Sequence, residues 1–305
     1  MIGRPQRFLF IVSFLAPAFL LFTGFVAVPG VRALLYSLQR WDGLTEAEWV
    51  GFENFRRIVT ESDIFLAAVT NNATLMFGAG ALILVCSLFF ASMLHRRVHG
   101  AAVFRVAFFF PNVMAAVAVA LVWMLLYSAG QFGVLNALLR VFQSGCHAAG
   151  LGWPNWELPV AFTASRYLIY AIVPMMVWMY TGFYMVLFLA AMQSIPQVYY
   201  EVARLEGAGP WAQFRLITLP LIRDVLTVAV VFLIITSMKF FDPIWVLENQ
   251  RPTKDSHVLT TLLYQKVFSE YNVGYGAAVA VLLFVVVFLA TLISMRLMRA
   301  ERVEY

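Results

Sequence analysis

The chain has 305 residues, of which 62% are hydrophobic and 12% charged, with a formal net charge of +5 and a mean hydropathy of +0.83. A soluble domain carries about 25% charged and about 45–50% apolar residues, so an aqueous fold could not bury this much apolar surface. A soluble globular protein is therefore excluded. The basic residues lie in short segments between apolar runs, which reads as membrane topology rather than a nucleic-acid surface.

A helix that crosses a hydrocarbon core about 30 Å thick needs about 20 mostly apolar residues. Six runs reach that length, predicting an all-α integral membrane protein with six transmembrane helices. The first covers about Phe8 to Pro29, behind Arg4 and Arg7. It is longer than a signal-peptide core and no small-x-small site follows it, so it is expected to be an uncleaved span. The second covers residues 71–94, the third 101–127 and the fourth 167–192. The fifth covers 221–246 and the sixth 275–298. Pro17, Pro111, Pro174 and Pro243 fall inside runs. In a membrane bundle the freed carbonyls find other partners, so each can mark a kink or a packing irregularity.

The connections differ in charge. One side holds Arg4, Arg7, Arg96, Arg97, Arg105, Arg204, Arg215, Arg223, Arg296, Arg299 and Arg302, against the acids Glu201, Glu206, Asp224, Glu301 and Glu304. The other side holds longer loops at 31–70, 128–166 and 247–274, with acids including Asp42, Glu46, Glu48, Glu53, Glu61 and Asp63. Short Arg-dense connections belong in the cytoplasm, so both termini are expected there. In the second outer loop, Val134, Leu138 and Val141 recur at helical spacing, as on a helix lying along the membrane surface. Trp153 and Trp156, around Pro154, read as interfacial anchors.

Cys86 and Cys146 form neither a metal spacing nor an evident pair. His95, His99, His147 and His257 are expected in loops, and no span carries a catalytic or metal-binding arrangement of side chains. His95 and His99 have the spacing of a metal pair, but Arg96 and Arg97 between them argue for a charged turn.

The loop at 194–220 is strongly patterned. Pro196 marks a start, and from Gln197 to Leu205 nothing breaks a helix. Val198, Val202 and Leu205 share one face. Gly207 and Gly209-Pro210 force a turn, a second short helical stretch follows, and Leu219-Pro220 opens the next span. Such a helix–turn–helix fits a docking knob for a partner groove; it also fits an ordinary amphipathic connector.

This stretch resembles the coupling motif of binding-protein-dependent ABC importer permeases: Glu-x-Ala, a glycine six residues after the Glu, an isoleucine ten further on, then x-Leu-Pro. The matching positions are Glu201, Ala203, Gly207, Ile217, Leu219 and Pro220. Val202 stands where the family often has Ala, and Glu206, ahead of Gly207 and Ala208, where it usually has Asp. The resemblance covers residues 10–297 and is closest to the sugar-importer permeases of the maltose-transporter type. It is carried also by Trp41-Asp42-Gly43, Asn71-Asn72-Ala73-Thr74, Phe109-Phe110-Pro111, Gly133 with Asn136, and Lys239 through Leu247. One departure is Glu248-Asn249-Gln250-Arg251 ahead of Pro252, where the family usually has a glycine-rich turn.

The resemblance implies a single permease domain over residues 1–305 in a bacterial inner membrane. It implies a second, homologous permease, two ATP-binding-cassette ATPase subunits and an extracytoplasmic substrate-binding protein as partners. It implies that Glu201, Val202, Ala203, Glu206, Gly207, Ala208, Ile217, Leu219 and Pro220 couple the chain to the ATPases. This chain carries no phosphate-binding loop, so ATP and Mg are expected on the partners, with no cofactor and no catalysis here. The implied cargo is a mono-, di- or oligosaccharide, with glycerol phosphate or another polyol as the alternative.

Sugars meet aromatic faces and hydrogen-bonding side chains, which makes Asn112, Trp178, Tyr180, Thr181, Tyr184, Thr236 and Ser237 candidates for a substrate path, with Asn72 a weaker one. Lys239 and Asp242 are three apart and expected on one helix face, either lining the path or paired with each other. An ion-coupled secondary transporter would show internal repeats and midplane acids; the chain has no convincing repeat, and only Asp242, near a span end, as an intramembrane acid.

Overall fold

The computed structural model describes residues 4–95, 100–130, 133–150 and 157–298. Arg96, Arg97, His99, Trp153, Pro154, Trp156, Arg299, Glu301, Arg302 and Glu304 lie outside the described residues, as do the side chains of Arg4, Arg7 and Glu61.

Among the described residues, five continuous helical stretches are long and apolar enough to cross a membrane. The first, Phe10–Ser37, joins α1 (Arg4–Phe22) to α2 (Val28–Ser37) and runs on well past Pro29. Next come a two-stranded antiparallel ribbon, β1 (Gln39–Arg40) and β2 (Glu48–Trp49), and α3 (Glu53–Glu61). The second crossing, Asp63–His95, joins α4 (Asp63–Thr74) to α5 (Gly80–His95) and begins two turns earlier than its apolar run. Asp63 at its start, with Thr70, Asn71 and Asn72 behind it, hid that extension.

The third run is not one straight helix. It divides into α6 (Ala101–Val113) and α7 (Ala116–Tyr127), which meet at 99°. Pro111 removes a helical bond in the last turn of α6, and Met114 and Ala115 are extended. The pair is a broken span or a re-entrant loop; taken as one span, it makes up the expected six. Beyond it lie α8 (Val134–Ala148) and the fourth crossing, α9 (Ser165–Gln193). Short helices α10 (Gln197–Leu205), α11 (Pro210–Gln213) and α12 (Leu219–Leu221) lead into the fifth crossing, α13 (Arg223–Met238) with α14 (Asp242–Leu247). After α15 (Leu259–Tyr264), α16 (Val273–Leu297) is the last crossing.

Two prolines sit behind π-helical turns of the same build. Thr23–Ala27 is followed by Val28 and then Pro29; Phe214–Thr218 is followed by Leu219 and then Pro220. Proline offers no N–H and its ring presses on the carbonyl four residues back. A π turn widens the helix by one residue there and lets the chain continue.

The chain packs as two units, one of Met1–Phe65 with Leu262–Val285 and one of Leu66–Thr261 with Val286–Tyr305. In the first, the Asn54 amide donates to the carbonyls of Ser37 (3.0 Å) and Gln39 (2.9 Å), pinning α3 under the ribbon. Arg40 pairs with Glu53 at 2.9 Å and Glu48 at 3.3 Å. The Asp42 carboxylate accepts bonds from the backbone N–H groups of Thr45 and Leu44, which hold it below the usual carboxylate range. The Gly274 N–H donates to the Trp41 carbonyl at 3.1 Å, and a Cβ at Gly274 would overlap the Gln39 carbonyl, so the ribbon lies directly on the start of α16.

The second unit is built round α9. Leu168, Ile172, Met175, Met176, Met185, Phe188 and Met192 are buried along it, against Leu75 and Ile83 of the second crossing and Leu233 of α13. At Gly182 the backbone of α6 comes so close that a Cβ would overlap the Phe108 carbonyl. The Ser87 hydroxyl donates to the Thr181 carbonyl at 2.9 Å, a cross-helix bond of the sort that holds membrane bundles together. Three amides, buried at Asn136 and Asn72 and half-buried at Asn71, fasten the loops. Asn136 donates to the Ser128 and Val160 carbonyls and accepts from the Val160 N–H. Asn71 donates to the Asp255 and His257 carbonyls; Asn72 donates to Ser237 and accepts from the Leu259 N–H. On α8, Val134, Leu138 and Val141 are all exposed, an unburied apolar face.

Candidate coupling loop and translocation face

Helix α10 starts behind Pro196 and ends in a left-handed turn. Gly207 has φ +79°, the Gly207 N–H donates to the Arg204 carbonyl (3.1 Å), and the Ala208 N–H reaches back to Ala203 (2.8 Å). This pair of bonds is a Schellman closure, which needs a residue at ease with positive φ. The motif thereby acquires a physical reading. Ala203 supplies the carbonyl that closes the helix, Glu206 caps it after Leu205, and Gly207 turns the chain. The Gln213 amide donates to the Ala208 carbonyl at 2.7 Å and ties α11 to the turn.

Val198 (56% exposed), Val202 (54%) and Leu205 (88%) form an unburied stripe on α10, and Trp211 is exposed beside it. Glu201 and Glu206 are exposed, Ala203 and Ala208 half-buried. Ile217 and Leu219 are half-buried and Pro220 exposed. Beneath α10 lies a cleft of ≈ 530 Å³ lined by Ser92, His95, Tyr200, Glu201, Arg204 and Gln213 among others.

The candidate path residues do not gather at one place. Tyr180 and Tyr184 share a face of α9. Tyr184 lies within hydrogen-bonding reach of Thr236, and Tyr180 within electrostatic range of Asp242. Trp178 and Thr181 face the other way, into an almost wholly apolar cleft with Leu82, Cys86, Phe90 and Phe108. Such a surface suits lipid or a packed helix better than a sugar. Ser237 is fully buried and Asn112 half-buried, on the last turn of α6. Asn72 is buried, with its amide bonded to the Ser237 carbonyl and the Leu259 N–H.

Lys239 and Asp242 do not share a helix face. The helix stops at Met238 and resumes at Asp242, with Phe241 at φ −129°, ψ −61° between. Both side chains are exposed on this chain, and the ion pairs among the described residues do not include them. Charges near the bilayer interior do not face hydrocarbon, so this break faces water or another protein.

Two of the histidines expected in loops lie in helices, and one lies in a loop as expected. His95 closes α5 and His147 lies within α8; His257 is in a loop, buried, with Nδ1 3.1 Å from the Thr261 hydroxyl. Among the described residues, no cluster of three His, Cys, Asp or Glu side chains converges to hold a metal. Cys86 and Cys146 are free thiols.

Where the family favours glycines, Asn249 (φ +50°) and Gln250 (φ +65°) occupy the left-handed region. The turn is closed by the Gln250 N–H, which donates to the Trp245 carbonyl at 2.8 Å. A side chain in that region costs about 1–2 kcal/mol. Gln250→Gly is therefore expected to raise the melting temperature of the detergent-solubilised chain, by the equivalent of about 1 kcal/mol once the greater freedom of unfolded glycine is offset. Asn249→Gly should gain less, because asparagine tolerates this conformation.

A bundle of membrane-crossing helices with this closed, outward-striped loop defines a multi-pass membrane transport subunit. Residues 83–302 match the family described as binding-protein-dependent transport system inner membrane component, and the chain belongs to that family. It is 30% identical over 286 residues to a probable ABC transporter permease protein of Pyrococcus horikoshii, covering 93% of each chain. It is 30% identical to the trehalose/maltose transport system permease protein MalF of Thermococcus litoralis, covering 91% of this chain and 90% of that one. Its fold matches a chain of the bacterial alginate ABC transporter, solved in complex with an alginate pentasaccharide-bound periplasmic protein, with a TM-score of 0.76, 22% identity and coverage of 96% and 95%.

Proposed function

We propose that this permease forms half of the membrane pore of an importer for a carbohydrate, working with a second permease, two ATPase subunits and an external binding protein. The observation that carries the reading is the exposed apolar stripe of Val198, Val202 and Leu205 on a glycine-closed helix. Stranded in water, such a stripe is a cost; in a groove of an ATPase it is a grip. The Arg-rich connections favour a cytoplasmic position for that helix and for both termini. A carbohydrate cargo is favoured by the named cargoes of the relatives, trehalose or maltose and alginate. A polyol or glycerol phosphate falls within the same transporter class.

In this mechanism the ATPases bind MgATP and close, and their hold on residues 201–211 draws the attached crossings with them. The pore then opens outward to accept solute from the binding protein, and hydrolysis resets it. This chain contributes no chemistry to the ATP. Tyr180, Thr236 and Asp242 offer the polar and aromatic surface along which a sugar would pass, with Tyr184 buried behind them.

Affinity purification of the tagged chain, expressed with the products of its neighbouring genes, should recover ATPase subunits. A cysteine at Glu201 should react with a membrane-impermeant thiol reagent only from the cytoplasmic side. Recovery without any ATPase, or labelling from outside, would overturn the reading.

A further inference from the structure

We infer that Tyr200 and Thr218 form a strut that makes α10 move α13, an inference that rests on the coupling role proposed above. Tyr200 is the one buried residue of α10, at 8% exposure, while the rest of the helix faces outward or is half-covered. Its hydroxyl meets the Thr218 hydroxyl at 2.9 Å, and Thr218 is itself 5% exposed. Thr218 is the last residue of the π turn Phe214–Thr218, immediately ahead of Leu219-Pro220 and the fifth crossing. The Tyr200 ring also lies 5.8 Å from the ring of His95, which closes α5.

The mechanical problem is one of attachment. Helix α10 joins its neighbours through two turns, Ser194–Pro196 on one side and Glu206–Gly209 on the other. A helix hung between two turns can swivel without moving what it is attached to. A side chain running from the middle of α10 to the start of the crossing converts the swivel into a lever, because it fixes a third point. A buried hydroxyl pair suits a lever, since away from water it keeps its partner and its direction. It also lands on a π turn, where the wider ring lets the backbone shift register more readily than in an α-helix. The ≈ 530 Å³ cleft beside Tyr200 gives the lever room to travel. The strut joins two positions that the motif leaves unspecified, the residue before Glu201 and the residue between Ile217 and Leu219. Tyr200 and Thr218 are thus positioning residues.

The test uses the complete complex in nanodiscs, with spin labels at Met93 on α5 and Val228 on α13. MgATP with vanadate is the probe, so the solute need not be known. The wild-type distance should shift on trapping. In Tyr200→Phe and in Thr218→Val the shift should be at least halved, with unchanged recovery of ATPase subunits and unchanged basal ATP hydrolysis. The double variant should be no worse than either single one. Thr218→Ser, which keeps the hydroxyl, should restore the full shift. A full shift in Tyr200→Phe, or a Thr218→Ser that behaves like Thr218→Val, overturns the strut while leaving the proposed function standing. Absence of ATPase subunits from the wild-type preparation overturns the proposed function itself.

Discussion

Gly207→Val is expected to cut the recovery of ATPase subunits with this chain about tenfold or more, while its amount in the membrane stays the same. The reason is conformational. Gly207 sits at φ +79°, and no atom lies within 4 Å of where a Cβ would be. A valine would clash with nothing, so the fold has no steric cause to fail. Its backbone, however, would leave the left-handed region at a cost of about 1–2 kcal/mol, more for a β-branched residue, and a tenfold change needs only about 1.4 kcal/mol. The Schellman bonds from Gly207 and Ala208 would open, α10 would unwind at its end, and Leu205 would leave the stripe. Gly207→Asn should keep most of the recovery, since asparagine accepts positive φ. Quantitative immunoblots of membranes and of affinity eluates decide it. Normal recovery with valine would mean that the turn does not position the docking face.

Gly182→Ala is expected to destabilise the chain by about 3 kcal/mol or more, beyond the ordinary cost of overpacking, because the obstacle is backbone. The added methyl would overlap the Phe108 carbonyl of α6, which cannot swing aside as a side chain would. Helices α6 and α9 would have to separate, exposing the row of buried methionines and Phe188. The melting temperature in detergent should fall steeply, and so should the folded yield. Gly209→Ala is the control: φ is −68° and nothing lies within 4 Å of the added methyl, so it should melt like wild type. If Gly182→Ala also melted like wild type, the close approach of α6 and α9 would be wrong.

Much of this arrangement is legible from residues, and the parts that are not share a cause. Apolar length reports that a helix crosses the membrane, since nothing else offsets the hydration cost of twenty apolar residues in a row. The bounds of α10 are written in Pro196 and Gly207, whose backbone preferences are local. The 99° break after Val113 is not written that way. Pro111 permits it, but Pro17 and Pro174 sit inside helices that continue, so the outcome depends on packing beyond the chain's local preferences. The roles of Asn71 and Asn72 were equally hidden. An asparagine in an apolar run suggests a polar path, yet these two bond to backbone about 165 to 187 positions away, a pairing with no local trace. Among the path candidates, helical spacing does separate Tyr180 and Tyr184 from Trp178 and Thr181. It could not say which pair would face Thr236 and which the apolar cleft. The left-handed Asn249 and Gln250 show the limit from the other side: residues other than glycine adopt positive φ here.

No residue in the apolar core of the first crossing, Phe10–Ser37, is fully buried. In the proposed importer, a copy made without its partners would hold this helix in the bilayer by lipid contact alone. Cells making more of this protein than of its companions would carry orphans with a bare flank, open to membrane quality-control proteolysis. Steady abundance would then follow the scarcest companion rather than the gene's own expression.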